Sequence, residues 1–140
     1  VAVSMDGKPV DVAQHFWYRN CMFSNVPNLA VSFGYLNTSW TQRVGLVTEY
    51  LCKLFRHMDK WGVDVVTPVL PQDHGLEEYQ PVDLFSSGYL QRGKHLIPRS
   101  TTSAPWRLHM FYREDKKEMA EAPIDDGWLQ FERRKAKAAA

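Results

Sequence analysis

Leu29-Ala30-Val31-Ser32-Phe33-Gly34-Tyr35-Leu36-Asn37-Thr38-Ser39-Trp40-Thr41-Gln42 is the stretch on which the fold turns. Residues 29–33 form a short, nearly continuous apolar run, the pattern of a strand covered on both faces in a parallel sheet. Gly34 ends the run, and residues 34–40 read as a connecting loop. Ser39 and Gln42 have the spacing of a capping box, in which a hydroxyl and an amide side chain satisfy backbone N–H groups reciprocally. Beyond it Val44, Val47, Leu51, Leu54, Phe55 and Met58 recur at helical spacing as one apolar stripe. Lys53, Arg56, His57 and Lys60 gather where positive charge suits the C-terminal end of a helix, and Gly62 suits the position just past that end. The spacing predicts a helix over residues 40–61. Strand, loop and long helix in succession predict an α/β class, or α+β when the chain is taken alone.

Outward from this unit the signals are shorter. Val1-Ala2-Val3-Ser4, Asp6-Gly7 and Pro9-Val10-Asp11-Val12 predict an N-terminal hairpin with a tight turn. Residues 15–26 are dense in aromatics, and Asn25-Val26-Pro27-Asn28 is a turn cluster. Val63-Asp64-Val65-Val66-Thr67 predicts another strand, limited by Pro68 and Pro71. After residue 71 the pattern is irregular. Residues 82–90 read as a short helix or turn, 108–119 as a helix and 122–127 as a turn. Residues 1–132 form a single domain or domain fragment, and 133–140 a basic, alanine-rich tail expected to fray.

A chain of 140 residues is one domain's worth, and 44% hydrophobic residues suffice for a core. The net charge of +1 excludes a strong overall pull toward nucleic acid or an anionic membrane. Cys21 and Cys52 are too few for a disulfide scaffold. With no secretion signal legible, a reduced, cytoplasmic protein is expected. An acidic stretch, Asp73, Glu77, Glu78 and Asp83, precedes a basic one, Arg92, Lys94, Arg99, Arg107 and Arg113. Both read as solvated surface, and near-zero net charge gives no support to nucleic-acid binding through 92–113.

The chemistry that the residues offer centres on the start of the long helix. Its first turn presents unpaired N–H groups and about half a positive charge, suited to a phosphate, a carboxylate or the electron-rich edge of a cofactor ring. Asn37, Thr38, Ser39 and Thr41 add polar groups there, and Tyr35 and Trp40 flat apolar ones; ordinary capping with two packed aromatics is the plain alternative. Gly34 stands alone in its loop, so the chain has no Gly-rich cradle for a dinucleotide or nucleotide phosphate. His15, His57, His74, His95 and His109 lack metal-ligand spacing, and no metal site is expected. Asp125-Asp126 reads as a turn. Ser100-Thr101-Thr102-Ser103, flanked by Arg99 and Arg107, is either an anion-binding loop or a connector. No nucleophile elbow is present, and no catalytic residue is singled out.

Residues 25–41, Asn-Val-Pro-Asn-Leu-Ala-Val-Ser-Phe-Gly-Tyr-Leu-Asn-Thr-Ser-Trp-Thr, with the helix after them, resemble the last part of flavin-containing monooxygenases of the Baeyer–Villiger type. The likeness continues more thinly through Gly88-Tyr89-Leu90-Gln91-Arg92, Ala104-Pro105-Trp106-Arg107-Leu108 and Ile124-Asp125-Asp126. The resemblance implies a C-terminal portion of a flavoprotein with two dinucleotide-binding domains, which holds FAD, uses NADPH and inserts one oxygen atom of O2 into a ketone, aldehyde or sulfur compound. It implies that Gly34, Tyr35, Asn37, Thr38, Ser39, Trp40 and Thr41 lie against the pyrimidine side of the flavin ring, stabilising negative charge on it when reduced. The family's Gly-rich FAD fingerprint and its NADPH-binding domain are not among these 140 residues. The implied partners are therefore the N-terminal part of the same enzyme and a small-molecule substrate, and the chain alone is expected to be inactive. A stand-alone module that self-associates into a homo-oligomer is the alternative, since an isolated piece of such a domain exposes apolar faces.

Overall fold

The computed structural model describes residues 2–36 and 38–134. Strands β1 (Val3–Met5) and β2 (Lys8–Val10) form the N-terminal hairpin, antiparallel, with Val3 opposite Val10. Asp6 and Gly7 have φ of 51° and 78°, the pair of positive angles that a tight hairpin turn needs. Strands β3 (Trp17–Tyr18) and β4 (Met22–Phe23) make a second ribbon. Its turn residues, Arg19 and Asn20, also have positive φ, 46° and 58°.

The long helix α1 (Trp40–Trp61) begins and ends where the spacing predicts. Gly62 closes it at φ 59°, its N–H donating to the carbonyls of Met58 and Asp59. The other end corrects the sequence reading. Ser39 occupies the N-cap position, but its hydroxyl lies 2.7 Å from Thr41 Oγ1 and caps no backbone N–H. Gln42 Oε1 accepts from Thr38 Oγ1 at 3.4 Å, so the reciprocal box does not form. The side chains of this turn bond to each other.

The buried face of α1 is also rotated from the expected stripe. Arg43, Leu46, Val47, Tyr50 and Leu54 point inward, with Leu51 and Met58 at the margin, whereas Val44 and Phe55 are exposed. Arg43 and Tyr50 reach the interior because their polar ends find hydrogen-bond partners there.

The remaining elements are β5 (Val65–Pro68), α2 (Gly88–Gly93), α3 (Tyr112–Glu121) and β6 (Leu129–Glu132), with 3-10 turns at Val12–Gln14, Pro81–Leu84 and Lys94–Leu96. β5 pairs antiparallel with β6, Val66 opposite Phe131. Among the described residues the fold is therefore mixed α/β with three two-stranded antiparallel sheets, and the expected parallel sheet is not formed among them. Residues 29–33 are extended but are not a sheet strand. One bridge, Met22 to Ala30, and the Val31 N–H donating to the Cys21 carbonyl at 2.7 Å are their ladder contacts. Leu29, Val31 and Phe33 are half-buried while Ala30 and Ser32 are exposed. A strand needs a neighbour on its edge, and among the described residues the segment has a neighbour on one side only.

The core has two parts. In the larger, the inward face of α1 packs on Tyr18, Cys21, Met22, Leu70 and Trp106. Trp106 is fully buried, edge-on to Tyr18 at 5.1 Å and to Trp128 at 5.6 Å. The smaller joins Trp17, Phe23, Val26, Leu108 and Met110 beneath residues 29–36. The acidic and basic stretches meet each other, Lys94 on Asp83 at 2.6 Å and Arg99 on Glu78. Arg133 Nε donates to the Gly62 carbonyl at 2.7 Å, and residues 135–140 lie outside the described part. Among the described residues no helix is long and apolar enough to cross a membrane.

Burial also separates the two thiols. Cys21 is enclosed, and loss of hydration pushes its thiol up to about 12, whereas Cys52 is exposed. One thiol per chain, Cys52, is expected to react with Ellman's reagent in the native state, and both in denaturant. Rapid reaction of two thiols in the native protein contradicts this packing.

Candidate functional site

The loop entering α1 is held by a buried carboxylate. Asp115, on α3, is fully buried and accepts from three side chains. Arg43 Nε donates at 3.0 Å, Asn20 Nδ2 at 2.7 Å, and the Tyr35 hydroxyl forms a short bond to the same oxygen that Arg43 uses. Arg43 has no solvent exposure. Its remaining donors go to the Phe33 carbonyl at 3.3 Å and to the His109 carbonyl. Its guanidinium lies 4.0 Å from the centre of the Tyr35 ring, a cation–π placement. Burial, followed by the bond to Asp115, raises the Tyr35 hydroxyl well above its ordinary value, so it stays a donor. Asn20 Oδ1 accepts from the His109 backbone N–H at 2.9 Å, closing the network.

This network fixes the two walls of an open cavity of 480 Å³. One wall is Thr38 and Gln42, at the start of α1; the other is residues 110–114, which lead into α3. Arg43 follows Gln42 directly and reaches both the 109 carbonyl and Asp115, so a single ion pair spans the base of both walls. The first turn of α1, which no side chain among the described residues caps, adjoins this cavity.

The loop residues singled out from sequence fall into two groups. Gly34 and Tyr35 are buried behind the turn. Gly34 is required by packing: a Cβ there would sit 2.2 Å from Trp40 Cγ and 2.8 Å from its Cβ. Thr38, Ser39, Trp40 and Thr41 are exposed at the tip, with the Trp40 ring 5.5 Å from that of Phe33. Asn37 lies outside the described residues. Sequence reasoning missed Arg43, Asp115, Asn20 and His109. The available signal was an arginine at position 43, in helical register with Leu46, Val47, Tyr50 and Leu54.

Two other sequence candidates resolve into structure. Asp126 accepts from the Tyr18 hydroxyl at 2.8 Å, Arg19 at 2.7 Å and the Trp128 N–H at 3.0 Å, so it holds the core rather than facing solvent. The Ser100–Ser103 loop is spent as a connector. Ser100 Oγ accepts from the Leu108 N–H at 2.8 Å, and the flanking guanidiniums are engaged, Arg99 by Glu78 and Arg107 by Glu118. No group of three or more His, Cys, Asp or Glu residues is placed to hold a metal ion among the described residues.

Two measurements follow from the buried groups. Asp115→Asn leaves Arg43 charged and unpaired, and such breaks cost about 3–5 kcal/mol. Urea unfolding of this variant should show its midpoint falling sharply with little change in slope. Glu118 gives a pH test. Burial works to raise its carboxyl, but the hydrogen bond and charge of His109, helped by Arg107, outweigh burial and hold it below its usual range. A depressed folded value means stability present above the unfolded value, about 4.3, and lost as pH falls through the folded one. Glu118→Gln should flatten the acid side of the stability profile; an unchanged acid limb contradicts the assignment.

No family model matches the chain, and no solved structure does. Curated proteins do match. An FAD-binding monooxygenase from Acinetobacter sp, AlmA, is 39% identical over 132 residues, which cover 94% of this chain and 26% of that protein. The Mycobacterium tuberculosis FAD-containing monooxygenase MymA is 40% identical over 127 residues, 91% of this chain and 26% of its own. The Mycolicibacterium smegmatis FAD-containing monooxygenase EthA is 34% identical over 139 residues, 99% of this chain and 28% of its own. The chain spans about a quarter of the length of these relatives. Matched along nearly all of its own length, the chain is similar to the C-terminal portion of FAD-containing monooxygenases.

Proposed function

We propose that this chain supplies the wall of a monooxygenase active site that receives the pyrimidine edge of FAD. The observation that carries the reading is the uncapped first turn of α1 beside an open 480 Å³ cavity. The fit is chemical. The pyrimidine edge of the ring offers carbonyl and ring-nitrogen acceptors, and the turn offers backbone N–H donors at the positive end of a 22-residue helix. Thr38, Ser39 and Thr41 add hydroxyls, Trp40 covers the side of the turn, and Gly34 and Tyr35 support it from behind. Asn37 belongs to the same tip in sequence.

The complete enzyme is a cytoplasmic, NADPH-dependent monooxygenase of the Baeyer–Villiger type, acting on ketones, aldehydes or sulfur compounds. Bound flavin, reduced by NADPH, supplies electrons for splitting O2, one oxygen entering the substrate and the other leaving as water. This chain's part is to hold and orient. Its first-turn N–H groups favour the ring's negatively charged reduced form, and they need no reorganisation because Arg43 and Asp115 have already fixed them. The two dinucleotide-binding domains and the Gly-rich cradle lie in the N-terminal part of the same polypeptide. That part covers the open edge of residues 29–33 and the outward side of α1. Without it, domain 1–132 is inactive, and its exposed Trp40, Val44 and Phe55 favour self-association.

The test grafts this chain in place of the matching quarter of the M. smegmatis monooxygenase. The graft should purify with bound FAD and oxidise NADPH. Trp40→Pro and Trp40→Ala both remove the indole, but only proline removes a first-turn N–H. Ser39 is already extended, ψ 130°, so it accepts a following proline. Relative to Trp40→Ala, Trp40→Pro should weaken FAD binding roughly three- to tenfold and make the flavin harder to reduce. A folded graft without flavin, or equal potentials in the two variants, defeats the reading.

A further inference from the structure

A second cavity, of 560 Å³, shares no lining residue with the one beside α1. It lies between residues 14–16, 24–25 and the segment 70–78, with Arg99 at its rim. The segment over it is fastened at both ends. Asn25 grips Leu70 twice, Nδ2 to the carbonyl and Oδ1 from the N–H, both at 3.2 Å. At the far end the Tyr79 N–H donates to the Ser100 carbonyl at 2.9 Å, and the Thr102 N–H to the Glu77 carbonyl at 3.0 Å. Gly75 turns midway at φ 63°, a left-handed position that suits glycine. A cavity bridged in this way exists before any ligand arrives, and its volume is in the range of small-molecule sites.

Two imidazoles line it, and their bonds assign them opposite roles. His15 Nδ1 lies 2.6 Å from the Ser24 carbonyl oxygen. A carbonyl only accepts, so Nδ1 carries the proton, and in the neutral ring Nε2 is left as an acceptor. His74 Nδ1 receives the Leu76 N–H at 3.0 Å. A backbone N–H only donates, so Nδ1 is bare, and Nε2 carries the proton as a donor. Neither Nε2 has a hydrogen-bond partner among the described residues.

The charged groups of the cavity cancel. Arg99 is paired in a fork to both oxygens of Glu78, and its guanidinium lies 4.3 Å from the centre of the Phe16 ring. Phe16, Leu70 and Leu76 supply apolar surface. An anion gains no free cation here and meets the Glu78 carboxylate. A neutral group with a donor and an acceptor side by side fits better.

We propose that this cavity is a second ligand site that takes a primary carboxamide on an apolar ring. The carbonyl accepts from His74 Nε2, and the amide NH2 donates to His15 Nε2. The site stands apart from the FAD reading and survives its failure.

The probe is benzamide, with benzoate as its charged counterpart, titrated into the full chain at about pH 8. Imidazole nitrogen resonances report occupancy, with His57 and His95, outside the cavity, as internal references. Benzamide should move the His15 and His74 signals saturably, at a dissociation constant on the order of 1–10 mM for so small a fragment. Benzoate should move them far less. His74→Ala should weaken benzamide about tenfold and leave the His57 and His95 signals in place. Should that variant misfold, the benzamide-to-benzoate preference of the native chain decides alone. Unmoved His15 and His74 signals, equal response to both probes, or undiminished binding by a folded His74→Ala variant overturns the proposal.

Discussion

Three separate parts of the chain converge on the carboxylate of Asp115: the turn at Asn20, the loop at Tyr35 and helix α1 at Arg43. Removing an ion pair from water costs several kcal/mol per charge unless the geometry repays it. Here the repayment is complete in kind. Asp115 accepts from three donors, and Arg43 spends its other nitrogens on the Phe33 and His109 carbonyls. The result is directional in a way that apolar packing is not. It fixes the start of α1 against the start of α3, and the cavity between them inherits its shape from that distance.

The turn that feeds Asn20 into this network has its own demand. Arg19 and Asn20 both adopt left-handed backbone, which residues with side chains visit at a cost. The two side chains leave the turn toward different carboxylates, Asn20 to Asp115 and Arg19 to Asp126. The Arg19 N–H is held as well, donating to the Pro105 carbonyl at 2.8 Å. Strain of this kind persists where surroundings over-determine a conformation, and here two carboxylates from distant parts of the sequence do so. The Tyr18 hydroxyl, raised by burial and then by Tyr50, remains protonated and donates to Asp126, which binds the turn to the larger core.

These facts explain what the sequence disclosed. The limits of α1 were legible because they are local: a polar N-cap residue, an unbroken helical run and a glycine at the left-handed exit. Residues 29–33 misled because a strand is a relation between two segments, and periodicity describes one. The inward face of α1 misled because hydrophobic counting discards arginine and tyrosine, the two side chains whose polar ends are most fully satisfied inside. The far wall of the cavity, residues 110–114, was legible only as part of a helix over 108–119; its place opposite Thr38 and Gln42 had no local mark. It is placed by bonds from Arg43 across 66 and 72 positions of sequence.

The outward side of α1 follows from the same ion pair. With Arg43 and Tyr50 turned to the interior, Val44 and Phe55 are carried out to solvent, and Leu51 and Met58 to the margin. Beside them lies a mainly apolar groove of 220 Å³, closed on its other side by residues 28–30. Residues 28–30 lead into the extended segment whose second edge is unpaired. A helix built to cover a single layer carries polar residues on its flank; this one is apolar across the flank as well as the centre. The apolar flank of the helix and the open edge of the extended segment line one groove and so form one surface among the described residues.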